Sequence, residues 1–275
     1  MILMFFVCRD TDKDRIFGPT IFPNSRLVFI QLTFNCLPLK MPALFSALLL
    51  TASLMAQRPV IDDFTISGDT YRTDNDCFRL TEERDYSSGS IWYRRPISLN
   101  EPFSIELSVY LGCKDDTGAD GMVFIFAPSA NLTGWRGEGI GFAGLRPSIG
   151  IEIDTWLNEH LLDPAEDHVA IMANGRVGHF NNLAGPKPIL NIEDCEQHKL
   201  AVRWSPAEQR LSVEIDRREV IAAEVDLKNA IFQGNDVVYW GVSAATGRYN
   251  NYHEVCFDRL SWLPVEEVGP VCRGK

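Results

Sequence analysis

The chain has 275 residues, a length that fits one large all-β domain with a leader sequence, or two small domains. Hydrophobic residues make up 45% of it, enough for a buried core, which excludes a globally disordered chain. The net charge of −11 excludes nucleic-acid binding, which needs a basic surface, and the excess carboxylates indicate either simple solubility or calcium ligands.

The apolar stretch at residues 41–56 has the features of a secretory signal peptide. It is shorter than the roughly 20 residues that span a membrane, follows Lys40 and ends in small residues before Gln57. We expect either an over-extended N-terminus at 1–40 with the true start at Met41, or one long signal; a buried helix is the alternative for 41–56. Either signal predicts a secreted, extracellular or periplasmic mature chain with no membrane span.

Beyond the signal, short apolar segments alternate with clusters of Gly, Asn, Asp and Pro. Residues 103–111 alternate apolar and polar, which predicts a half-buried strand, and residues 121–127 are continuously apolar, which predicts a core strand. Further strands are predicted at 149–154, 168–173, 200–204, 211–215, 237–242 and 255–263. A hairpin loop is predicted at 205–209 and a short helix at 227–232. This pattern predicts one antiparallel β-sandwich domain at 58–265 and a tail at 266–275.

The cysteines allow a limited set of disulfides in an exported chain. Five follow the expected signal, at Cys77, Cys113, Cys195, Cys256 and Cys272. An odd number permits at most two bridges and leaves one thiol over. No pair has C-x-x-C spacing, which argues against a zinc site built on cysteines. The pairing itself stays open.

The segment from Glu152 to His168 carries the candidate metal ligands. Glu152 and Asp154 leave the end of a predicted strand two residues apart, so their side chains point to the same face. The chain then passes Asn158 and Asp163 in a loop and enters the next strand at His168. Carboxylates, an amide oxygen and a backbone carbonyl suit calcium, and one histidine beside shared carboxylates suits manganese or a similar transition ion. The alternative is an acidic hairpin loop that happens to contain a histidine.

This segment resembles the metal-binding hairpin of legume-type lectins, and it matches the family pattern of E-x-D-x-(aromatic)-x-N, then D-P, then H, at every position. The resemblance implies two sets of ligands that share two aspartates. The transition-metal set is Glu152, Asp154, Asp163 and His168. The calcium set is Asp154, Asp163, Asn158 and the carbonyl of Trp156. The family usually has Tyr or Phe where this chain has Trp156, and a carbonyl role survives that change.

Three further blocks resemble the same family in the same order. Ala119-Asp120-Gly121 resembles a motif in which the Ala–Asp peptide bond is cis and the aspartate accepts hydrogen bonds from sugar hydroxyls. Residues 137–141 resemble a Gly-rich loop that offers a backbone N–H to the sugar, and residues 241–255 resemble the late strand, specificity loop and closing strand. Sugars also require planar acceptors, amide donors and an aromatic face. The candidate sugar-binding residues are Asp120, Gly137, Gly139, Trp156, Asn158, Gly247, Arg248, Tyr249 and Asn250.

The resemblance covers roughly residues 75–263 and implies an all-β, concanavalin-like jelly-roll β-sandwich of antiparallel sheets. Trp92 and the Asp194-Cys195 region are more similar to bacterial members than to plant ones. The implied function is a secreted lectin that binds carbohydrates with calcium, and with manganese or another transition metal, and that catalyses no reaction. Its partners would be glycans or glycoconjugates, and a homodimer stays open because members of the family often dimerise.

Two other functions are left open by the sequence. Retaining glycoside hydrolases on the same fold use E-I-D-x-E, with the nucleophile and the acid on one face of a strand. This chain has Glu152-Ile-Asp154, but Trp156 takes the place of the second glutamate and Leu157 excludes the bulged variant. The remaining alternative is a metal-stabilised adhesive module that does not bind sugar, against which the intact set of candidate ligands argues.

Overall fold

A computed structural model describes residues 61–73 and 77–261. The predicted extension at 1–40, the signal at 41–56, the tail at 266–275 and Cys272 lie outside the described residues and stay predictions. No helix in the described part of the chain is long and apolar enough to cross a membrane.

The described residues form fifteen strands. In chain order these are β1 Phe64–Gly68, β2 Tyr71–Arg72, β3 Cys77–Thr81, β4 Ser88–Tyr93, β5 Ile97–Ser98, β6 Phe103–Tyr110, β7 Gly121–Ala127, β8 Ile149–Asp154, β9 His168–Ala173, β10 Ala184–Pro188, β11 His198–Ser205, β12 Arg210–Ile215, β13 Arg218–Glu224, β14 Val237–Ala245 and β15 His253–Ser261. Helical turns lie at Ile61–Asp63, Gly137–Gly139, Glu159–Leu161 and Leu227–Ile231.

The strands form two antiparallel sheets, so the predicted jelly-roll β-sandwich is confirmed. The first sheet has eight strands in the order β1-β4-β14-β7-β8-β9-β10, with β5 paired to β14. The second has seven strands in the order β13-β12-β11-β6-β15-β3-β2. Every strand predicted from the sequence is present with small shifts at its ends, and the predicted short helix is a π-helical turn at Leu227–Ile231.

The main core lies between the facing sides of the two sheets, and aromatic side chains fill its centre. Trp240 stacks on Phe124, with ring centroids 5.3 Å apart and ring planes 8° apart. Phe64 stacks on Phe257, with centroids 4.2 Å apart. These rings come from both sheets, so burial of their apolar area is what holds the sheets together.

Strand β7 is apolar at every position because both of its faces are buried. Phe124 and Phe126 point into the main core. Val123 and Ile125 belong to a second apolar cluster on the other side of the sheet, where Phe142 covers them. An alternating pattern is therefore absent from β7, whereas β6 buries one face more completely than the other.

Two disulfides tie distant parts of the chain together. Cys77–Cys256 joins the neighbouring strands β3 and β15. Cys113–Cys195 joins the segment after β6 to the segment before β11. Two bridges are the number that the cysteine count allows, and the structure supplies the pairing that the sequence left open.

Candidate functional site

The hairpin of β8 and β9 brings the candidate metal ligands together. Asp154 pairs with His168 in the strand register, and Glu152 lies two residues earlier on the same face of β8. All three side chains are buried. Asp163 reaches them from the connecting loop, and ligand atoms of Asp154, Asp163 and His168 lie within 4.8 Å of one another. The four residues predicted for the transition-metal set therefore converge.

Hydrogen bonds within the connecting loop orient the candidate calcium ligands. The Asp154 carboxylate accepts from the backbone N–H of Trp156 at 2.7 Å. The Asp163 carboxylate accepts from the backbone N–H of Asn158, also at 2.7 Å. Within the described structure, the buried Oδ1 atom of Asn158 has no hydrogen-bond partner. An acceptor that is buried without a partner is costly, and a bound cation would remove that cost.

The electrostatics of the cluster also fit a divalent cation. Burial raises the pKa of Glu152 and of Asp154 well above the usual range, and the neighbouring carboxylates raise both pKa values further. Burial lowers the pKa of His168 to about 4, so its imidazole is neutral and able to bind metal. Crowded carboxylates, an amide oxygen and a neutral imidazole are the donor set that calcium and a transition ion would take.

A second histidine, which the sequence reasoning missed, completes this cluster. His179 lies in the loop between β9 and β10, and its backbone N–H donates to the carbonyl of Leu161 at 2.9 Å. Its Nε2 atom lies 3.1 Å from Nε2 of His168 and 3.2 Å from Oδ1 of Asp163. The only signal in the sequence was a histidine eleven positions after His168, in a loop without periodicity.

Asp120 lies beside the metal hairpin because of the strand register. Gly121, the first residue of β7, pairs with Asp154 on one side and with Ala245 on the other. The backbone carbonyl of Asp120 accepts from the N–H of Thr155 at 3.0 Å, and its N–H donates to the carbonyl of Ala245 at 3.0 Å. The Ala119–Asp120 peptide bond is cis, as the resemblance implied.

The Asp120 carboxyl group is buried, and one of its oxygens is free to accept a hydrogen bond. Burial, and then the charge of Glu138, raises the pKa of Asp120 to about 7. Among the described residues its Oδ2 atom has no hydrogen-bond partner although it is buried. Gly247 borders this carboxylate, since a Cβ atom added there would lie 3.5 Å from Oδ2. A side chain at Gly247 would therefore intrude on the space in front of Asp120.

The loop after β14 adds an aromatic surface to this end of the sheet. The ring of Tyr249 stacks on the ring of Trp156 at 4.2 Å, with an angle of 26° between the planes. Tyr249 and Arg248 are exposed. Asn250 is a candidate sugar-binding residue. In the structure its side-chain amide donates to Asp85 at 2.7 Å and accepts from Lys114 at 2.8 Å. The structure thus uses the Asn250 side chain to hold the loop.

The Gly-rich loop approaches the same region from the opposite side. The Oε2 atom of Glu138 lies 3.0 Å from Nε2 of His160, a residue of the loop that contains the candidate metal ligands. Gly137 is open, since a Cβ atom added there would meet nothing within 4 Å. Gly139 is enclosed: an added Cβ would lie 2.9 Å from Cβ of Trp135, and the Gly139 N–H donates to the carbonyl of Arg136 at 3.4 Å. Of the two glycines, Gly137 offers the more accessible backbone.

Comparison of the sequence and the structure with known proteins identifies the family. A family model described as the legume lectin beta-barrel domain matches residues 55–259. The pesticidal crystal protein Cry22Aa of Bacillus thuringiensis is 21% identical over 252 residues, which cover 78% of this chain and 34% of that protein. The chain therefore spans about a third of the length of this relative.

Two solved structures show the same fold. A lectin from Bauhinia forficata in complex with GalNAc has a TM-score of 0.63 at 18% identity, covering 74% of this chain and 94% of that one. The exoplasmic/lumenal domain of VIP36, in its Ca2+/Man3GlcNAc-bound form, has a TM-score of 0.61 at 22% identity, covering 77% and 88%. Because the family model matches most of the sequence, the chain belongs to the legume lectin (L-type) domain family.

Proposed function

We propose that this protein is a secreted lectin that binds carbohydrates in a calcium-dependent manner and catalyses no reaction. One observation carries the proposal. Two buried oxygens, Oδ2 of Asp120 and Oδ1 of Asn158, both have no hydrogen-bond partner in the described structure. One borders Gly247 at the end of the sheet, and the other belongs to the metal hairpin. A sugar hydroxyl and a calcium ion are the groups that these two acceptors suit.

The metal hairpin and the sugar site are physically linked. The backbone of Asp120 is hydrogen-bonded to Thr155, the residue between Asp154 and Trp156. Calcium held by Asp154, Asn158, Asp163 and the Trp156 carbonyl would fix the start of this loop. A fixed loop would in turn hold Asp120 and the ring of Trp156 where a sugar can meet them, which limits the ordering cost of binding. Calcium dependence of sugar binding follows from that link.

The similar proteins support glycans as the ligand class. The Bauhinia lectin structure contains GalNAc, and the VIP36 domain structure contains Ca2+ and Man3GlcNAc. The stacked pair of Trp156 and Tyr249 offers this chain an aromatic face next to polar acceptors, which is the combination that pyranose rings need. Secretion is supported by the predicted signal at 41–56 and by the two disulfides, and N-terminal sequencing of exported protein tests the boundary near Gln57.

The absence of catalysis is proposed because the acid of the related hydrolases has no counterpart on the strand. The position of the second glutamate is occupied by Trp156, whose ring stacks on Tyr249. Glu159 follows in a 3-10 turn beyond the end of β8. Without a glutamate at position 156, no acidic side chain stands where those hydrolases place the acid that protonates the leaving group of a glycoside.

A glycan array with and without calcium chelator tests the proposal, followed by calorimetry on two variants. Asp120→Ala should lose glycan binding but keep metal binding, because it removes an acceptor for sugar and no metal ligand. Charged hydrogen bonds contribute about 1.5–3 kcal/mol each, so losing two would abolish weak monosaccharide binding. Asp163→Ala should lose both metal and glycan binding.

Asp62→Ala is the control, because Asp62 is 78% exposed and far from the site in sequence. It should bind glycan as the wild type does. If a folded Asp120→Ala protein binds glycan as well as the wild type, the sugar is not held at Asp120. If the wild type binds calcium but no glycan, the chain is better described as a metal-stabilised adhesive module.

A further inference from the structure

Two histidines, rather than the one in the family pattern, face the carboxylates of the metal hairpin. Nε2 of His179 lies 3.1 Å from Nε2 of His168, 3.2 Å from Oδ1 of Asp163 and 3.6 Å from Oε2 of Glu152. Nε2 of His168 lies 3.9 Å from the same Glu152 oxygen. The side chains of these four residues are 1–2% exposed, so they form a closed cluster of two imidazoles and two carboxylates.

We propose that His179 is an additional protein ligand of the transition-metal site and makes that site selective for Zn2+ over Mn2+. The inference deepens the proposed function, since it rests on the β8–β9 hairpin binding metal. It concerns only the site on the Glu152 side of the hairpin, and the calcium ligands Asn158 and Trp156 are not part of it.

The spacing of the donor atoms fits one small ion. Bonds of about 2.0–2.1 Å to nitrogen and oxygen place neighbouring ligand atoms about 3.0–3.4 Å apart. The distances from Nε2 of His179 to His168 and to Asp163 lie within that range. A small inward movement of Glu152 would bring its oxygen into the same shell.

An independent observation points to a ligand at this position. Oε2 of Glu152 is buried and has no hydrogen-bond partner in the described structure, although it faces both imidazoles. A carboxylate oxygen buried without a partner carries a large desolvation cost, which a shared cation removes. No described residue offers this oxygen a hydrogen bond that would remove the cost.

The surroundings of both imidazoles direct their Nε2 atoms at the cluster. The side-chain amide of Asn182 lies 2.7 Å from Nδ1 of His179, and the His179 backbone is held by Leu161. The ring of His168 meets the ring of His179 edge to face, and His168 also bonds to the backbone of Glu166. A metal-bound imidazole donates its second ring N–H, so His179 would bind metal at Nε2 with the Asn182 amide turned to present its oxygen, in place of its nitrogen, to Nδ1–H.

The identity of the donors determines which ion is preferred. Imidazole nitrogen suits zinc, whereas carboxylate, carbonyl and water suit calcium, magnesium and manganese. Affinity for a site of fixed geometry also rises from Mn2+ towards the later ions of the series. A second imidazole therefore shifts the preference of this site away from Mn2+, while it gives no advantage to Ca2+.

Competition titrations of the metal-free full chain against a chromophoric chelator test the inference, with Zn2+ and Mn2+ as probes in saturating Ca2+. The wild type should bind Zn2+ at least about 10-fold more tightly than Mn2+, and His179→Ala should weaken Zn2+ binding about 10- to 100-fold but Mn2+ binding less, so that the preference for Zn2+ falls. The matched control is His160→Ala, because His160 lies in the neighbouring loop between β8 and β9 but is 64% exposed and contacts Glu138. That variant should bind Zn2+ as the wild type does.

X-ray absorption at the zinc edge separates a ligand from a structural histidine. The wild type should show two imidazoles on zinc, and His179→Gln, which keeps a hydrogen-bonding side chain, should show one. One imidazole in the wild type, no Zn2+ binding, or equal Zn2+ affinity in His179→Ala would each overturn the inference. The wild-type spectrum decides the question even if both variants fail to fold.

The two proposals fail in different ways. A two-imidazole zinc site in a protein that binds no glycan would contradict the lectin function and leave His179 as a ligand. Calcium-dependent glycan binding with a single imidazole on zinc would contradict only the role of His179.

Discussion

Buried polar side chains in this sandwich are not confined to the metal hairpin. His253 is fully buried in the second sheet, and its Nδ1 atom lies 2.6 Å from the hydroxyl of Thr81. Burial, and then the charge of Arg79, lowers the pKa of His253 to about 3. The imidazole is therefore neutral in the folded protein at every pH at which the metal site would bind, and it links β15 to β3 by a hydrogen bond.

His253 should make the protein less stable in acid. The unfolded histidine has a pKa near 6.5, so below about pH 6.5 the unfolded state binds a proton that the folded state excludes. The free energy of unfolding should then fall by up to ~1.4 kcal/mol per pH unit as the pH drops towards 3. His253→Asn, which keeps an amide near the Nδ1 position, should remove the contribution of His253 and leave that of His168, whose pKa burial also lowers. Urea unfolding of both proteins at pH 6.5, 5.5 and 4.5 measures the difference.

His198→Gln is the control for that experiment. Burial lowers the pKa of His198, but hydrogen bonds to Asp216 and Asp194 outweigh burial and raise it overall. His198 therefore carries its proton in both states well below pH 6.5, and any stabilisation it gives is lost only as the pH rises through its folded pKa. Its replacement should leave the acid slope unchanged. Equal slopes in wild type and His253→Asn would show that His253 is not the group responsible.

At the residue scale, the sequence predicted the convergence of those candidate ligands that belong to a contiguous pattern. Glu152, Asp154, Asp163 and His168 lie within one hairpin, so spacing alone could place them together. His179 could not be placed, because it reaches the cluster only through the path of the loop between β9 and β10. The side-chain amide of Asn250, a candidate sugar-binding residue, is hydrogen-bonded to Asp85 and Lys114, and no local pattern in the loop indicated these contacts.

At the scale of strands, the sequence predicted those strands that contain several large apolar residues. Strands β6, β7 and β8 have alternating or continuous runs of them, and each was found near its actual bounds. Strand β10, with the sequence AGPKP, was missed because prolines argue against a strand. It lies at the edge of its sheet and pairs only with β9, where a missing N–H is tolerated. Strand β4 was missed because small polar residues fill its first half.

Strand β7 should be sensitive to truncation of its large core side chains. Phe124 is buried, stacks on Trp240 and meets Phe126 edge to face at 5.1 Å. Phe124→Ala would leave a cavity between the sheets and should cost about 3–5 kcal/mol of unfolding free energy. Denaturant unfolding measures this loss.

The control is Ile66→Ala in the edge strand β1, where the side chain is 51% exposed. It should change the free energy of unfolding by no more than about 0.5 kcal/mol. A loss below about 1 kcal/mol for Phe124→Ala would mean that the two sheets are not held together by this aromatic cluster.

At the scale of the whole molecule, the order of strands in the sheet assembles the site. Strands β14, β7, β8 and β9 are neighbours, and they run antiparallel. The end of β14, the start of β7, the end of β8 and the start of β9 therefore meet at one end of the sheet. Gly247 follows β14, Asp120 directly precedes β7, the loop with the candidate metal ligands follows β8, and His168 begins β9. Local patterns identified each segment, but only this order makes them one site.

Metal binding should consequently stabilise the whole fold. The hairpin concentrates buried carboxylates whose pKa values burial has raised, so the metal-free protein pays a cost that a cation removes. A ligand that binds only the folded state stabilises it by about 2.7 kcal/mol at a hundredfold excess over its Kd. For a domain of this size that corresponds to a rise of roughly 5–10 °C in Tm. Thermal unfolding in calcium and in chelator measures the shift.

Asp154→Ala should abolish this shift, because Asp154 belongs to both predicted ligand sets and offers an oxygen within 4.8 Å of ligand atoms of Asp163 and His168. Its Tm should be the same in calcium and in chelator, whereas Asp62→Ala should keep the full wild-type difference. Asp120→Ala should also keep the difference, since its carboxylate belongs to neither predicted ligand set and its backbone contacts remain. A wild-type Tm that chelator leaves unchanged would count against metal binding at the hairpin, and the stability of the sandwich would then rest on its aromatic core and two disulfides alone.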